Sequence, residues 1–202
     1  MADSAVTDLP FTFSVPQEFT TFDLSQSPEE RADAAIARLN SMDPALAGDK
    51  IARVVLTQQT AAGLLAAGGV VYAGTLVAAS RQSPKVPVSA FLSVTVRPGN
   101  LSDETEVQRL TRDLASSNLD AEVGVVVLPV GQAVLFTEDT TIETAVNLVE
   151  SGGGSTVRQL HVLVPLPGRT AVADFSIATE SIPDWDDVVS ILASVCQTIT
   201  FS

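Results

Sequence analysis

Stretches of alternating or β-branched apolar residues predict seven strands along the chain. The strands are residues 9–15, 70–79, 86–96, 122–128, 132–137, 157–164 and 171–178. Pro10 and Pro16 bound the first strand, which places it at a sheet edge because proline cannot donate to a ladder of hydrogen bonds. Short connections containing Gly and Pro, at residues 129–131 and 165–169, join successive strands. We therefore expect mainly antiparallel pairing.

The region after the 132–137 strand has a less regular pattern. The adjacent acids Glu138 and Asp139 are predicted to mark a chain reversal. Residues 142–150 fit either another strand or a short helix, and both interpretations stay open. Residues 151–155, Ser-Gly-Gly-Gly-Ser, are predicted to be a flexible connector. They do not match a phosphate-binding loop, because they precede a strand and contain no lysine.

Helix signals accompany apolar residues at helical spacing in four other stretches. The first helix begins with Ser27 as N-cap, Pro28 at the first helical position and Glu30 placed to close a capping box. Further helices are predicted at residues 49–67, 102–117 and 184–197. Asp184 is expected to cap the last helix, with Asp187 at its third position.

The order of these elements predicts an α+β fold. A strand, two helices, two strands, a helix, a hairpin, two more strands and a final helix follow one another. Direct connections between strands indicate a mainly antiparallel sheet, and helices grouped between strand pairs indicate helix layers on that sheet. No fixed-period repeat and no charged or Pro-rich linker divides the chain. Residues 1–202 are therefore expected to form a single domain.

Charge and cysteine content exclude several classes of function. The 202 residues carry 24 acidic and 11 basic side chains, a net charge of −13. Nucleic acids and anionic membranes attract Lys and Arg, so we expect neither as a partner. The single cysteine, Cys196, excludes an internal disulfide framework and lies in an apolar stretch typical of an inert buried thiol. The acidic N-terminal region lacks a secretory signal pattern, which favours a cytoplasmic location.

One uncharged segment, residues 61–79, is long enough to cross a bilayer. Its residues are mostly Ala and Gly, and Gly68 and Gly69 interrupt its centre, whereas membrane spans are richer in Leu, Ile and Phe. We therefore interpret residues 49–67 as a helix that ends at the glycine pair, followed by the strand at 70–79.

Few residues could support catalysis or metal binding. His161 is the only histidine, so a Ser-His-Asp or Cys-His mechanism would have to use it. It lies within the 157–164 strand, where we interpret it as a structural residue of the sheet. One histidine and one distant cysteine do not supply a typical zinc site, and the acidic clusters are explained by helix starts and turns. No metal or cofactor is expected.

The closing segment, residues 158–201, resembles that of the PsbP-like α/β/α sandwich families. In those families a strand ending in Val-Pro leads through a tight turn to a second strand, then to a helix beginning near an aromatic residue and a short Ile-Thr-Phe-like tail. The matching residues here are Val164 with Pro165, Pro167 with Gly168, residues 175–179, Trp185, and residues 199–201.

This resemblance implies a single-domain α/β/α sandwich with a mainly antiparallel central sheet flanked by helices. It also implies a binding platform with no shared catalytic residues. The chain is expected to differ from the actinobacterial lipoprotein members of these families, because its sequence shows neither a signal peptide nor a lipobox cysteine.

We therefore expect a non-enzymatic protein-binding or adaptor domain whose partner is another protein or a second copy of the chain. Residues 61–79 are the candidate interface, because small side chains permit close approach of two backbones. Tyr72 and Leu76 in this segment, and Trp185 beside the last helix, are the candidate interface residues. Core packing of the segment, and attachment of the last helix to the sheet by Trp185, are the alternatives.

Two other classes of function stay open. One is an enzyme that relies on the carboxylates of Asp184, Asp186 and Asp187; replacing them would abolish turnover, whereas in a binding domain it would only weaken the last helix. The other is a membrane-associated subunit inserted through residues 61–79, which detergent-dependent release would reveal.

Overall fold

Strands dominate the architecture of the protein. The computed structural model describes residues 9–22, 26–42, 48, 68–80, 87–99, 104–117, 121–142, 155–168 and 171–202. The strands are Phe11–Thr12 (β1), Thr20–Thr21 (β2), Val70–Ala79 (β3), Pro87–Pro98 (β4), Val123–Leu128 (β5), Gly131–Ile142 (β6), Ser155–Pro165 (β7), Ala171–Thr179 (β8) and Thr200–Phe201 (β9). Helices are found at Pro28–Met42 (α1), Glu104–Ser117 (α2) and Trp185–Cys196 (α3), and a 3-10 turn, Ile182–Asp184, precedes α3.

The main sheet has seven strands in the order β2-β3-β4-β8-β7-β6-β5. Every pair in it is antiparallel. The pairs β3–β4, β5–β6 and β7–β8 join strands that follow one another along the chain, as their short connections predict. The prediction of a mainly antiparallel sheet is confirmed.

The larger part of the core lies on the face of the sheet that α3 covers. Phe175 and Ile177 of β8 have no exposed surface there. Val188, Leu192 and Val195, at helical spacing in α3, are buried in the same cluster. Because burying such a side chain stabilises the folded state by about 1.5–3 kcal/mol, this layer contributes much of the folding free energy.

A second, smaller apolar cluster lies on the opposite face, beneath α2. Successive residues of a strand point to opposite faces, so Val172 of β8 points away from the side of Phe175. Val107 of α2 packs against Val134 of β6 and Val172, and the exposed fractions of these three residues are 3%, 0% and 7%. This face also carries polar side chains of β4, β6, β7 and β8, which form the site described below.

Strand β6 is longer than the pattern predicts. Glu138 and Asp139 were expected at a chain reversal, yet both lie within β6, which continues to Ile142. Asp139 is opposite Arg158 of β7, and the Arg158 guanidinium donates two hydrogen bonds to it, of 2.8 and 2.7 Å. The prediction of a reversal was wrong because a cross-strand partner compensates this charge, so the acidic pair does not end the strand.

The first and last strands pair with each other. Only Phe11–Thr12 of the predicted strand at residues 9–15 is regular strand, and it pairs antiparallel with Thr200–Phe201. The hydroxyl oxygens of Thr12 and Thr200 are 2.7 Å apart, and the Ser14 backbone donates to the Thr198 hydroxyl at 2.8 Å. The C-terminal residues 198–201 therefore hold the N-terminal segment against the core.

Two helix starts were predicted to have side-chain caps. At α1 the capping box is confirmed: the Ser27 backbone N–H donates to Glu30 Oε2 at 2.8 Å, and the Glu30 N–H donates to the Ser27 hydroxyl at 3.2 Å. At α3 the prediction was wrong in part. Asp184 is at the N-cap position but makes no capping bond, because its buried carboxylate accepts a 2.9 Å hydrogen bond from Ser80 instead.

Replacing Ser27 by alanine should destabilise α1. The substitution removes the hydroxyl that accepts from the Glu30 N–H, and loss of an N-cap side chain costs about 1 kcal/mol. Urea unfolding followed by circular dichroism measures the change. Ser27→Asp, which retains an acceptor, serves as the control and should lose much less. Equal losses for both variants would contradict the capping role.

The segment proposed as a membrane span is in part a strand of the sheet. Residues 70–79 form β3, as predicted, and pair with β2 and β4. They are therefore not part of a spanning helix through 61–79. Among the described helices, none has the length and apolar content needed to cross a membrane. The predicted helix at residues 49–67 lies outside the described residues. So do residues 143–154, which hold all of the segment 142–150 except Ile142 and all of the predicted connector 151–155 except Ser155.

Candidate functional site

A cleft of about 700 Å³ lies between α2 and the polar face of the sheet. Strands β4, β6, β7 and β8 supply its floor, and α2 supplies a wall. Its volume is in the range of pockets that bind small ligands or side chains, about 300–1,000 Å³. The residues that line it are Arg97, Pro98, Gly99, Glu106, Arg109, Leu110, Asp113, Leu114, Phe136, Glu138, Gln159, His161, Leu163, Val172 and Asp174.

A buried histidine–aspartate pair forms the floor of the cleft. His161 Nδ1 is 3.0 Å from Asp174 Oδ1 and 3.2 Å from Oδ2. The two residues are only 8% and 4% exposed. A carboxylate only accepts hydrogen bonds, so Nδ1 is the donor, and in the neutral imidazole this leaves Nε2 as an acceptor.

Strand register brings the pair together. Leu163 of β7 is opposite Asp174 of β8, and His161 is opposite Ser176. His161 and Asp174 are therefore diagonal neighbours on one face, close enough for long side chains to meet. Asp174 also lies 3.5 Å from Arg97 Nη2, so a guanidinium from β4 faces the same carboxylate.

The second ring nitrogen of His161, itself a lining residue of the cleft, makes no hydrogen bond to the described residues. His161 Nε2 is buried and has no hydrogen-bond partner. Glu138 Oε1 lies 3.5 Å from it, beyond good hydrogen-bond length. The Phe136 ring stacks on the imidazole, with centroids 4.4 Å apart and planes 2° from parallel, which fixes the orientation of the imidazole.

Charged residues of both signs surround this pair. Four carboxylates and two guanidiniums line the cleft, and the Arg97 and Arg109 side chains are each 62% exposed. Arg109 pairs with Glu106 one turn earlier on α2. In the described part of the chain, no three His, Cys, Asp or Glu side chains are arranged to hold a metal ion. None of the cleft-lining residues is Ser, Thr or Cys, the nucleophiles that a histidine–aspartate pair would activate.

The candidate interface residues lie elsewhere. Tyr72 and Leu76 are 9% and 6% exposed and belong to the main core cluster. Phe13 contacts the Tyr72 ring edge-on at 5.6 Å, and burial raises the pKa of the Tyr72 hydroxyl. The side chains of Tyr72 and Leu76 thus pack in the core, as in the alternative interpretation of this segment, and they present little surface to a partner.

Trp185 is half-buried at the start of α3 and packs against the main core. The Arg158 guanidinium lies 5.6 Å from its ring centroid, in cation–π contact. Arg158 in turn binds Asp139, and its hydrogen bonds lower the pKa of the Asp139 carboxyl. This placement corresponds to the alternative interpretation of Trp185, in which its ring attaches the last helix to the sheet. The Arg158 guanidinium lies over that ring.

The three carboxylates of the enzyme alternative have different surroundings. Asp184 is 7% exposed and accepts from Ser80. Asp186 is exposed at the surface of α3, and Asp187 is half-buried. None of the three lines the cleft beside His161.

Cys196 is buried in the main core, and burial raises the pKa of its thiol to about 12. We expect it to resist Ellman's reagent at pH 8 in the native protein, because the thiolate is the reactive form. On unfolding in guanidinium chloride, one thiol per chain should react, since the sequence contains one cysteine. Absorbance of the released dye measures both rates. Rapid reaction of the native protein would contradict this burial.

A second surface feature is the edge strand β5. It is the last strand of the sheet and pairs with β6. Val125 and Val127 lie on one face of β5 and are 45% and 74% exposed. The strand, Val-Gly-Val-Val-Val-Leu, has no charge and no proline, the features by which proteins protect a free edge.

Asp174 and Arg97 were not predicted to be site residues, and His161 was predicted to be structural. Asp174 carries a detectable signal, since it is the one charged residue within the apolar strand β8. Its meeting with His161 depends on cross-strand register, which the sequence does not display. The exposed valines of β5 were visible as a β-branched run but not as an edge, because strand order decides which strands are outermost.

Comparison with known proteins gives one structural similarity to report. The chain is similar to the solution structure of cyanobacterial PsbP (CyanoP) from Synechocystis sp. PCC 6803, with 14% identity, a TM-score of 0.32, and coverage of 67% of this chain and 88% of that one. No known family profile matches the sequence, and no curated protein matches it.

Proposed function

We propose that the chain is a non-enzymatic protein-binding domain, in which a partner adds a strand to the outer edge of β5, which no described strand covers. The partner is another protein or a second copy of this chain. The observation that carries the proposal is the exposure of Val125 and Val127, 45% and 74%, on an uncharged edge strand. Unpaired backbone groups of such an edge are a template for another strand, and exposed β-branched side chains add apolar contact.

The opposite edge of the sheet is less suited to this role. There, β2 pairs with β3 at Thr75 and Gly74, and the Phe22 N–H donates to the Ala73 carbonyl at 2.8 Å. Part of that edge is therefore already covered by the chain itself. Val77 of β3 is 71% exposed, which makes it a matched comparison for the valines of β5.

The proposal includes a single PsbP-like α+β domain over residues 1–202 with α/β/α layers. The packing of α3 and α2 on opposite faces of the sheet supports this layering. It also includes a cytoplasmic location and no cofactor. Recovery of the protein in a high-speed supernatant without detergent would overturn the alternative of membrane insertion through residues 61–79, and release only by detergent would favour it.

The test is a double substitution, Val125→Lys with Val127→Lys. Burying a lysine against a partner strand is costly, so binding at β5 should weaken by about tenfold or more. A tagged pull-down from the native source, quantified by mass spectrometry, measures capture of a protein partner, and light scattering after size exclusion measures self-association.

Val77→Lys is the control, because it places the same charge on an equally exposed valine of the other edge. A stoichiometric partner, or a dimer, that persists with Val77→Lys and is lost with the β5 double variant would support the proposal. A monomer that captures no stoichiometric partner, or an interaction that survives the β5 substitutions, would overturn it.

A further inference from the structure

We propose that the cleft beside His161 binds a primary ammonium group at the end of an alkyl chain, as in a free alkylamine or a lysine side chain. This site is separate from the β5 edge, whose residues do not line the cleft. The two proposals can therefore fail independently.

His161 Nε2 and Glu138 Oε1 face each other, and no described side chain donates a hydrogen bond between them. Asp174 receives the hydrogen bond from Nδ1, so whenever the imidazole is neutral its lone pair is on Nε2. Glu138 Oε1 is also an acceptor and lies 3.5 Å from Nε2. An ammonium group has three donors and can bind both atoms at once.

The buried state of His161 makes the missing donor significant. His161 is only 8% exposed, and its Nε2 has no hydrogen-bond partner. A buried acceptor without a partner has lost its hydrogen bonds to water without compensation, so native proteins seldom retain one without a reason. A ligand that donates to Nε2 removes this cost when it binds.

Charge favours a cation over an anion in this cleft. Among its lining residues, four carboxylates outnumber two guanidiniums, and Glu138 faces His161 with no Lys or Arg paired to it in the described part of the chain. Asp174 and Glu106 are already matched by Arg97 and Arg109. The net charge of −13 also raises the local concentration of cations near the protein.

Apolar side chains beside the acceptors fit the alkyl chain. Phe136 lies over the imidazole and lines the cleft, and Leu110 and Leu114 of α2 form the wall with Leu163 of β7. A ring face close to the acceptors also attracts an ammonium through cation–π contact. The arrangement of acceptors at one point and leucines around them suits an alkylammonium better than an inorganic cation.

The single histidine provides a direct probe. Because the chain contains one histidine, labelling with [¹⁵N]histidine gives the resonances of one imidazole in NMR spectra of the full-length protein. At pH 8 an alkylamine still carries its charge. We expect pentylamine hydrochloride to shift the Nε2 resonance to saturation, and pentan-1-ol and sodium chloride to leave it in place.

Two variants separate the proposed site from a general charge effect. Glu138→Gln removes a partly exposed acceptor charge and should weaken amine binding by about tenfold or more, as expected for loss of a charge-assisted hydrogen bond. Glu180→Gln removes an exposed carboxylate outside the cleft and should leave the affinity unchanged. Retained amide spectra show that each variant is folded.

A comparison of ligands distinguishes the two sources of the ammonium. Nα-acetyl-lysine methylamide that binds about tenfold tighter than pentylamine would indicate a lysine of a polypeptide, and equal affinity would indicate a free amine. Its Nε-acetylated form, which has lost the charge, should not bind.

The proposal is overturned if Nε2 of the free protein already carries a proton at pH 8, because the acceptor would then be absent. It is also overturned if the amine produces no saturable shift, if sodium chloride reproduces the shift, or if Glu138→Gln binds the amine as well as the original chain does.

Discussion

Replacing Phe175 by alanine should lower the free energy of unfolding by about 3–5 kcal/mol, the range for a buried Phe→Ala change. Phe175 has no exposed surface and lies on β8, between β4 and β7. Phe11 and Phe13 contact its ring, with centroids at 5.9 and 5.2 Å. The loss is large because a cavity would open where the N-terminal segment, the sheet and α3 meet.

Urea or thermal unfolding followed by circular dichroism measures this effect. Since single domains are stable by about 5–15 kcal/mol in all, the variant should unfold at a much lower urea concentration. Val77→Ala is the control, because Val77 is 71% exposed, and surface substitutions usually change stability by less than about 0.5 kcal/mol. A loss for Phe175→Ala no larger than that of Val77→Ala would contradict the described core.

The second large effect is expected at Asp174. Asp174→Val removes the acceptor of the His161 Nδ1–H and the carboxylate that faces Arg97. A buried donor left without a partner costs about 1–3 kcal/mol, and more if it carries charge. We therefore expect a loss of that size in the free energy of unfolding, measured by the same urea titration.

A double-mutant cycle shows whether the cost comes from the pair itself. Once Asp174 is valine, replacing His161 by leucine removes the unsatisfied donor, and apolar replacement of both buried partners is often close to neutral. The double variant should thus lose less stability than the two single losses added together, with a coupling of about 0.5–3 kcal/mol. Strictly additive losses would mean that the pair contributes no joint interaction.

Local signals predicted the elements whose determinants lie close together in the sequence. The capping box of α1 needs only Ser27 and Glu30, three residues apart, and the structure contains both of its hydrogen bonds. Strand β3 begins after the glycine pair as predicted, since Gly69 has a φ of +74° that suits glycine. The hairpin β5–β6 likewise turns at Gly131, where φ is +125°.

Features that depend on distant partners were not predicted. The length of β6 depends on Arg158 opposite Asp139, and β1 is regular only where it meets β9. Asp184 was assigned to capping because its distant donor, Ser80, cannot be identified from the local sequence. In each case a contact between distant residues replaced the outcome that local propensity favours.

The candidate site shows the same division. His161 was recognised as a strand residue, which is correct, but its partner Asp174 follows only from the register of β7 and β8. The acid Glu138 was placed in a turn, although β6 directs it to the same face as His161. A polar cluster assembled from four strands has no sequence motif, because its spacing is set by the sheet.

Strands β3 and β4 are synthesised well before α3 and β9, whose residues pack in the same core cluster. The apolar faces of β3 and β4 are synthesised about 90–130 residues before Leu192 and Phe201, which pack in the same core cluster. At a translation rate of about 5–20 residues per second, those faces stay uncovered for roughly 5–25 s. During that interval the nascent chain presents β-rich apolar segments to solvent, and it is therefore expected to bind the chaperones that act at the ribosome.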